Sequence, residues 1–219
     1  VYFASNRVDQ FYVIDSATYA VAVVPYPEGG RGCMSLLRHP TRPLLYIGVQ
    51  RGGRINGQRY PHANSYLAIY DLSRQAYVAD AQLAEVNNGR ADDATPACLT
   101  YDDAHNRIYV GMFQSHRGIC VLEAESGRPV QDIRFEPNSW SKSFSWVDPL
   151  SQALTASSLL SVNRNNCELV VLDRASLHLK EGIFLGDAPN GPRAVLVWRD
   201  HAVVSYPGRN GLIFIPLEV

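Results

Sequence analysis

The sequence predicts an all-β fold, a β-propeller of four-stranded antiparallel blades, and three observations carry that prediction. A strand-like run ending on an acidic residue recurs as Tyr12-Val13-Ile14-Asp15, Ala68-Ile69-Tyr70-Asp71, Cys120-Val121-Leu122-Glu123 and Val170-Val171-Leu172-Asp173. Counted on the acid, the steps are 56, 52 and 50 residues (71−15, 123−71, 173−123), close to one blade per repeat. Between the copies, apolar and β-branched residues alternate between turn formers, and no segment shows helical periodicity.

The remaining strands fall into register around that anchor. After each acid come a polar turn and a further strand, at 20–24, 77–81, 130–135 and 179–185. A Gly-, Pro- and Asn-rich loop then leads to a strand of small and apolar residues, expected at 32–37, 96–101, 141–146 and 193–198. A tight turn and an apolar strand close the unit, as at 44–48 and 107–111. The turn between first and second strands also repeats, as Leu37-Arg38-His39-Pro40, Tyr101-Asp102-Asp103-Ala104, Trp146-Val147-Asp148-Pro149 and Trp198-Arg199-Asp200-His201. That repetition predicts Trp146 and Trp198 as blade-packing residues.

Val1-Tyr2-Phe3-Ala4-Ser5-Asn6 followed by Phe11-Tyr12-Val13-Ile14-Asp15-Ser16-Ala17-Thr18 resembles the YVTN repeat, whose pattern runs VYVAN…VSVIDTATN. Arg38-His39-Pro40 leading into Leu45-Tyr46-Ile47-Gly48 is similar to the strand-turn-strand of lactonase-like propellers. The likeness fades in the fourth blade at 153–160. It implies a propeller, a WD40-like repeat protein, and an extracytoplasmic location, periplasmic or secreted. It carries over no catalytic residue, because no active-site motif of one family is matched. The chain opens on a second strand and closes on a third, giving three full blades with three strands of another at each end. Residues 1–219 are therefore expected to be one propeller domain or a fragment of one, its ring completed by a missing segment or a second chain.

Composition narrows the function classes. Lys plus Arg total 20 and Asp plus Glu 21, a net charge of −1, which argues against a nucleic-acid binder. No apolar run is long enough for a membrane-spanning helix. Cys33, Cys98, Cys120 and Cys167 lack metal-like spacing and are expected as small buried core residues, Cys33 matching Cys98 and Cys120 matching Cys167 in successive blades. No GxSxG, HExxH or P-loop pattern occurs. His39, His105 and His201 fall in first-to-second-strand turns, and Asp92-Asp93 reads as a polar loop, so neither a metal nor another cofactor is expected.

The loops joining second to third strands, and each blade to the next, lie around one mouth in a propeller. Every second-to-third loop carries an arginine: Arg7, Arg51 and Arg54, Arg117, Arg164, and Arg209. These cations can concentrate an anionic ligand or dock an acidic partner surface, although Glu28, Glu85, Asp92, Asp93, Glu136 and Asp187 in the blade-joining loops oppose them. The longest loop, 49–65, adds Arg59, Tyr60 and His62. His116, Arg193 and Trp140 complete the candidate ligand-binding set of Arg7, Arg54, His62, His116, Arg117, Trp140, Arg164, Arg193 and Arg209. The leading reading is a non-catalytic binding or scaffold propeller that presents this face to a protein partner or a small anionic ligand. The alternative is a lactonase-like hydrolase or quinoprotein-type enzyme subunit, with His116, Arg117, Arg164 and Arg193 holding an oxyanion or carboxylate at the channel mouth.

Overall fold

The computed structural model describes residues 1–5, 8–27, 30–50, 65–83, 95–136, 147–187 and 190–217, and only the backbone of four short strands within 53–60 and 86–91. Blade I is a three-stranded sheet of β1 (Tyr2–Ala4), β2 (Gln10–Ile14) and β3 (Val21–Pro25). Blade II follows with β4 (Gly32–Arg38), β5 (Leu44–Gln50), β8 (Tyr66–Asp71) and β9 (Ala76–Gln82). The long second-to-third connection of blade II carries a hairpin of β6 (Gly53–Ile55) and β7 (Gln58–Tyr60). A second hairpin, β10 (Val86–Asn87) with β11 (Arg90–Ala91), sits in the passage to blade III. Blade III is β12 (Thr95–Asp102), β13 (Arg107–Phe113), β14 (Ile119–Glu123) and β15 (Pro129–Ile133). Blade IV is β16 (Pro149–Leu154), β17 (Ser158–Asn163), β18 (Glu168–Asp173) and β19 (Leu179–Phe184). Blade V is β20 (Ala194–Trp198), β21 (His201–Tyr206) and β22 (Gly211–Pro216). All pairings are antiparallel, and among the described residues there is no α-helix.

The acidic anchors have a local structural role. Asp15 Oδ1 accepts the amides of Ala17 and Thr18, Asp71 Oδ1 those of Ser73 and Arg74, and Asp173 Oδ1 those of Ala175 and Ser176. These are Asx turns, which explains the aspartate at the end of the third strand in blades I, II and IV; in blade III the Glu123 carboxylate instead accepts the Ser126 hydroxyl (2.8 Å) and pairs with Arg128. Hydrogen bonds from the turn, led by those of Ser176, hold the Asp173 carboxyl down at about 2.

The sheets stack face to face, leaving four buried seams. Seam I/II holds Phe11, Leu45, Ile47 and Tyr66; seam II/III holds Tyr46, Leu67, Ile69, Val110 and Met112. Seam III/IV holds Tyr109, Val121, Leu159 and Leu172; seam IV/V holds Leu160, Leu169, Val204 and Tyr206. Each of β4, β12 and β16 carries a β-bulge at the same place, and the residue after it reaches the next blade. Ser35 donates to the Pro96 carbonyl (2.9 Å), Cys98 Sγ to the Pro149 carbonyl (3.5 Å), and Ser151 Oγ accepts the Val195 amide (3.1 Å). Gly48 and Gly111 lie opposite Ser35 and Cys98, where a Cβ would stand 2.4 Å from the Ser35 hydroxyl or the Cys98 sulfur.

Four expectations are corrected. The first strand of blade IV is 149–154, with its turn at 155–157, where Thr155 Oγ1 accepts the Ser157 and Ser158 amides. Residues 141–146, and Trp146 with them, lie outside the described residues, and Val147-Asp148 belongs to the connection from blade III. Trp198 does end β20, but it is 49% exposed rather than buried. By register the partner of Cys98 in blade II is Ser35, not Cys33, and the partner of Cys120 in blade IV is Val170, because Cys167 sits in the turn before β18. All four thiols are free.

Candidate functional site

The mouth face is built by the second-to-third turns and the blade-joining segments. In blade III the second-to-third turn is Gln114 to Gly118, entered through Gln114 in the left-handed region (φ 56°). That conformation points the Gln114 amide at Asp148, whose Oδ1 accepts it at 2.8 Å. Arg117, three residues further, makes a bidentate pair with Asp132 of β15: Nε to Oδ2 at 3.0 Å and Nη2 to Oδ1 at 2.8 Å. Its Nη1 donates to the carbonyl of Leu83, where the chain leaves blade II. Arg117 therefore clamps two blades together, and its guanidinium has only 15% of its side chain exposed. His116 is half-buried on the same turn.

Blade IV brings Arg164 to the same region. Arg164 follows β17 directly, its amide donates to the Asp148 carbonyl (2.9 Å), and Gly191 lies hard against its backbone. A Cβ at Gly191 would come within 2.4 Å of the Arg164 carbonyl, so glycine is required for that approach. Arg193, two residues later, donates its amide to the Ser205 carbonyl (3.0 Å) and is exposed. Burial first, then the like charge of Arg164, push the Arg193 guanidinium down, while Asp148 pulls it back up. Asp148 is 2% exposed, and burial pushes its carboxyl up against the pull of the Gln114 amide, Arg164, Asn165 and Arg193. Arg164 and Arg193 thus both act through space on one buried carboxylate, two positive charges to one negative where blades III, IV and V meet.

Arg209 is placed differently. It follows Tyr206, lies 5.5 Å from that ring's centroid, and crosses Gly186, whose positive φ (86°) and missing side chain make room for it. Tyr206 donates its hydroxyl to the Gly186 carbonyl. Of the remaining sequence candidates, Arg7, His62 and Trp140 lie outside the described residues, as does the side chain of Arg54, whose backbone is in β6. The structure thus brings Arg164 and Arg193 together, commits Arg117 to Asp132, and lays Arg209 over Tyr206. Sequence reasoning missed Asp148, Gln114 and Asn165, because Asp148 reads as a turn former.

The opposite face carries a second buried charge. Asp102 is fully buried at the first-to-second turn of blade III. It accepts Tyr109 Oη (2.7 Å), bonds His105 Nδ1 (2.9 Å), and takes Nε and Nη2 of Arg174 at 3.0 and 2.6 Å. Burial pushes its carboxyl up, but the bonds from Arg174, Tyr109 and His105 outweigh burial and hold it far below the usual range. Arg174 also reaches Asp103 (2.7 Å) and the Thr155 carbonyl (3.0 Å), so the group locks blade III to blade IV.

Among the described residues no cluster of three or more His, Cys, Asp or Glu is arranged to hold a metal ion, and no helix is long and apolar enough to cross a membrane. Neither a family model nor a curated protein sequence matches the chain. Its fold is similar to a chain in the crystal structure of the mitotic checkpoint complex, at 15% identity and a TM-score of 0.62. The match covers 94% of this chain and 53% of that one, so the chain spans about half the length of its structural neighbour. Five antiparallel sheets of three or four strands, stacked face to face, and that likeness make the fold a β-propeller.

Proposed function

We propose that the chain is a non-catalytic, YVTN-like propeller that binds a protein partner at its mouth through an acidic segment. The observation that carries this reading is the convergence of Arg164 and Arg193 beside the buried Asp148: the Arg164 amide donates to the Asp148 carbonyl (2.9 Å), and Gly191, two residues before Arg193, packs on the Arg164 backbone. The exposed Arg193 offers a guanidinium fork to a carboxylate, and Arg164 supplies a second cation at the same spot. A protein partner is consistent with the structural neighbour having been solved within a complex. The resemblance of residues 1–18 to YVTN repeats supports a periplasmic or secreted location.

Calorimetric titration with a hexaglutamate peptide, and separately with citrate, tests the reading. The intact protein is expected to bind the peptide with an affinity that falls as salt rises. The double variant Arg164→Ala, Arg193→Ala is expected to bind at least about tenfold more weakly, since charge-assisted hydrogen bonds contribute about 1.5–3 kcal/mol each. Equal affinity of the two proteins for the peptide overturns the reading, and binding of citrate alone reassigns the site to a small anion.

A further inference from the structure

The first-to-second turns of blades II, III and IV each hold one side-chain acceptor at the same place, and each blade supplies a different one. Asp102 Oδ1 accepts the amides two and three residues on, those of Ala104 and His105 (3.0 and 3.2 Å). Thr155 Oγ1 takes the amides of Ser157 and Ser158 in the same way (3.3 and 2.9 Å). In blade II the acceptor is an imidazole: His39 Nδ1 receives the amides of Thr41 and Arg42 (3.2 and 3.1 Å). A ring nitrogen that accepts carries no hydrogen, so the neutral ring holds its hydrogen on Nε2. His39 is 3% exposed, and its Nε2 is buried with no partner. The ring lies in seam II/III, 4.5 Å from the Tyr101 ring and 6.2 Å from that of Tyr46, centroid to centroid. Of the three acceptors, only an imidazole takes up a proton near neutral pH.

We propose that the first-to-second turn of blade II is an acid-released latch on seam II/III, with His39 as its trigger. A proton on Nδ1 turns the acceptor into a donor facing two N–H groups, while Nε2–H still has no partner. The charged ring therefore cannot stay where the neutral one sits. The charged groups facing it are Arg42 on its own turn and Glu125 from the third-to-fourth turn of blade III, and these two pair with each other at 2.7 Å. From β12 it meets the Tyr101 ring, and from β5 that of Tyr46, whose hydroxyl donates to the Ala124 carbonyl (3.0 Å). Burial first, then Arg42, push the imidazole below its usual value, and Glu125 draws it part of the way back. With the folded value below the unfolded one, the hold of the neutral ring is complete above about 6.5 and weakens as pH falls from there. Release of the ring lets go of Thr41 and Arg42, and with Arg42 the ion pair across the seam.

Amide hydrogen exchange in the intact protein tests this at a bond that blades II and IV share. The amides of Leu72 and Arg174 donate to the Pro43 and Ser157 carbonyls, tying the end of each third strand to the first-to-second turn (2.7 and 3.0 Å). From about pH 7.5 to about pH 5.5, protection at Leu72, corrected for the intrinsic rate, is expected to fall about tenfold while that at Arg174 holds. In His39→Asn the side-chain oxygen replaces Nδ1 as acceptor without titrating, so Leu72 is expected to keep its neutral protection throughout. The ring nitrogen chemical shifts of His39 in the intact protein need no variant. They are expected to show hydrogen on Nε2 at neutral pH, and a charge that appears together with the loss at Leu72. Unchanged protection at Leu72, an equal fall at Arg174, the same fall in His39→Asn, or hydrogen on Nδ1 at neutral pH each overturns the proposal. None of these readouts involves Arg164 or Arg193, so the mouth assignment and this one fail separately.

Discussion

Seams II/III and III/IV join blades of the same design by opposite means. In seam II/III the leading face of blade III offers Leu99, Val110 and Met112, and the turns meet through the half-exposed pair Arg42–Glu125. In seam III/IV the same three positions are Gln152, Ser161 and Asn163, and the turns meet through the buried Asp102–Arg174 pair. Ser161 donates to Asn163 Oδ1 (3.1 Å), yet both amide atoms of Gln152 and Nδ2 of Asn163 are buried with no partner. Even the tyrosine at one shared position is used differently: Tyr46 donates to the Ala124 carbonyl and Tyr109 to Asp102. One seam rests on apolar burial with a weak surface pair, the other on a satisfied charge network that offsets an unsatisfied polar patch. A shared backbone joint therefore does not imply a shared source of stability.

The largest test of this contrast removes the arginines. Arg174→Ala strands a buried Asp102 and is expected to cost about 3–5 kcal/mol in urea unfolding. The same experiment on Arg42→Ala is expected to show at most about 1 kcal/mol. Equal losses would mean that the two seams are held alike. Acid provides a related probe. The Asp102 carboxyl is lower in the folded than in the unfolded chain, so its contribution is complete above the unfolded value of about 3.9 and disappears as pH falls through the folded one. The melting temperature of the intact protein should therefore drop more steeply than that of Asp102→Asn as pH is lowered from about 5 to about 2.

Smaller effects sharpen the comparison. Gly48→Ala and Gly111→Ala each force a Cβ into the bulge residue of the adjacent inner strand, and each should cost about 1–3 kcal/mol, since that joint is common to both seams. Converting seam III/IV to the blade III pattern, with Gln152→Leu, Ser161→Val and Asn163→Met together, should raise stability by about 1–2 kcal/mol by removing buried polar atoms without partners. Denaturant midpoints of the triple variant and its parent measure that gain. A loss instead would show that the amides are satisfied in solution.

The parts of the fold legible in the sequence are those that repeat. The anchors Asp15, Asp71, Glu123 and Asp173 stand at strand ends because local turns require an acceptor there, and local requirements leave a periodic trace. The first strand of blade IV escaped because Gln152 and Ser151 interrupt the apolar alternation that marks its counterparts in blades II and III. The site was half legible. The sequence singles out Arg164 in a second-to-third turn and Arg193 at the head of a first strand, whereas the commitment of Arg117 to Asp132 and the Asp102–Arg174 lock, 72 residues apart, depend on pairings that no local pattern encodes.

The four free thiols fall one to a seam: Cys33 in I/II, Cys120 in II/III, Cys98 against Pro149 in III/IV, and Cys167 in IV/V. Burial pushes Cys33 up to about 11 and Cys98 up to about 12, so neither reacts appreciably while its seam is shut. Alkylation of each cysteine then keeps time for one joint, and the order in which the four are labelled in mild denaturant is the order in which the propeller comes apart.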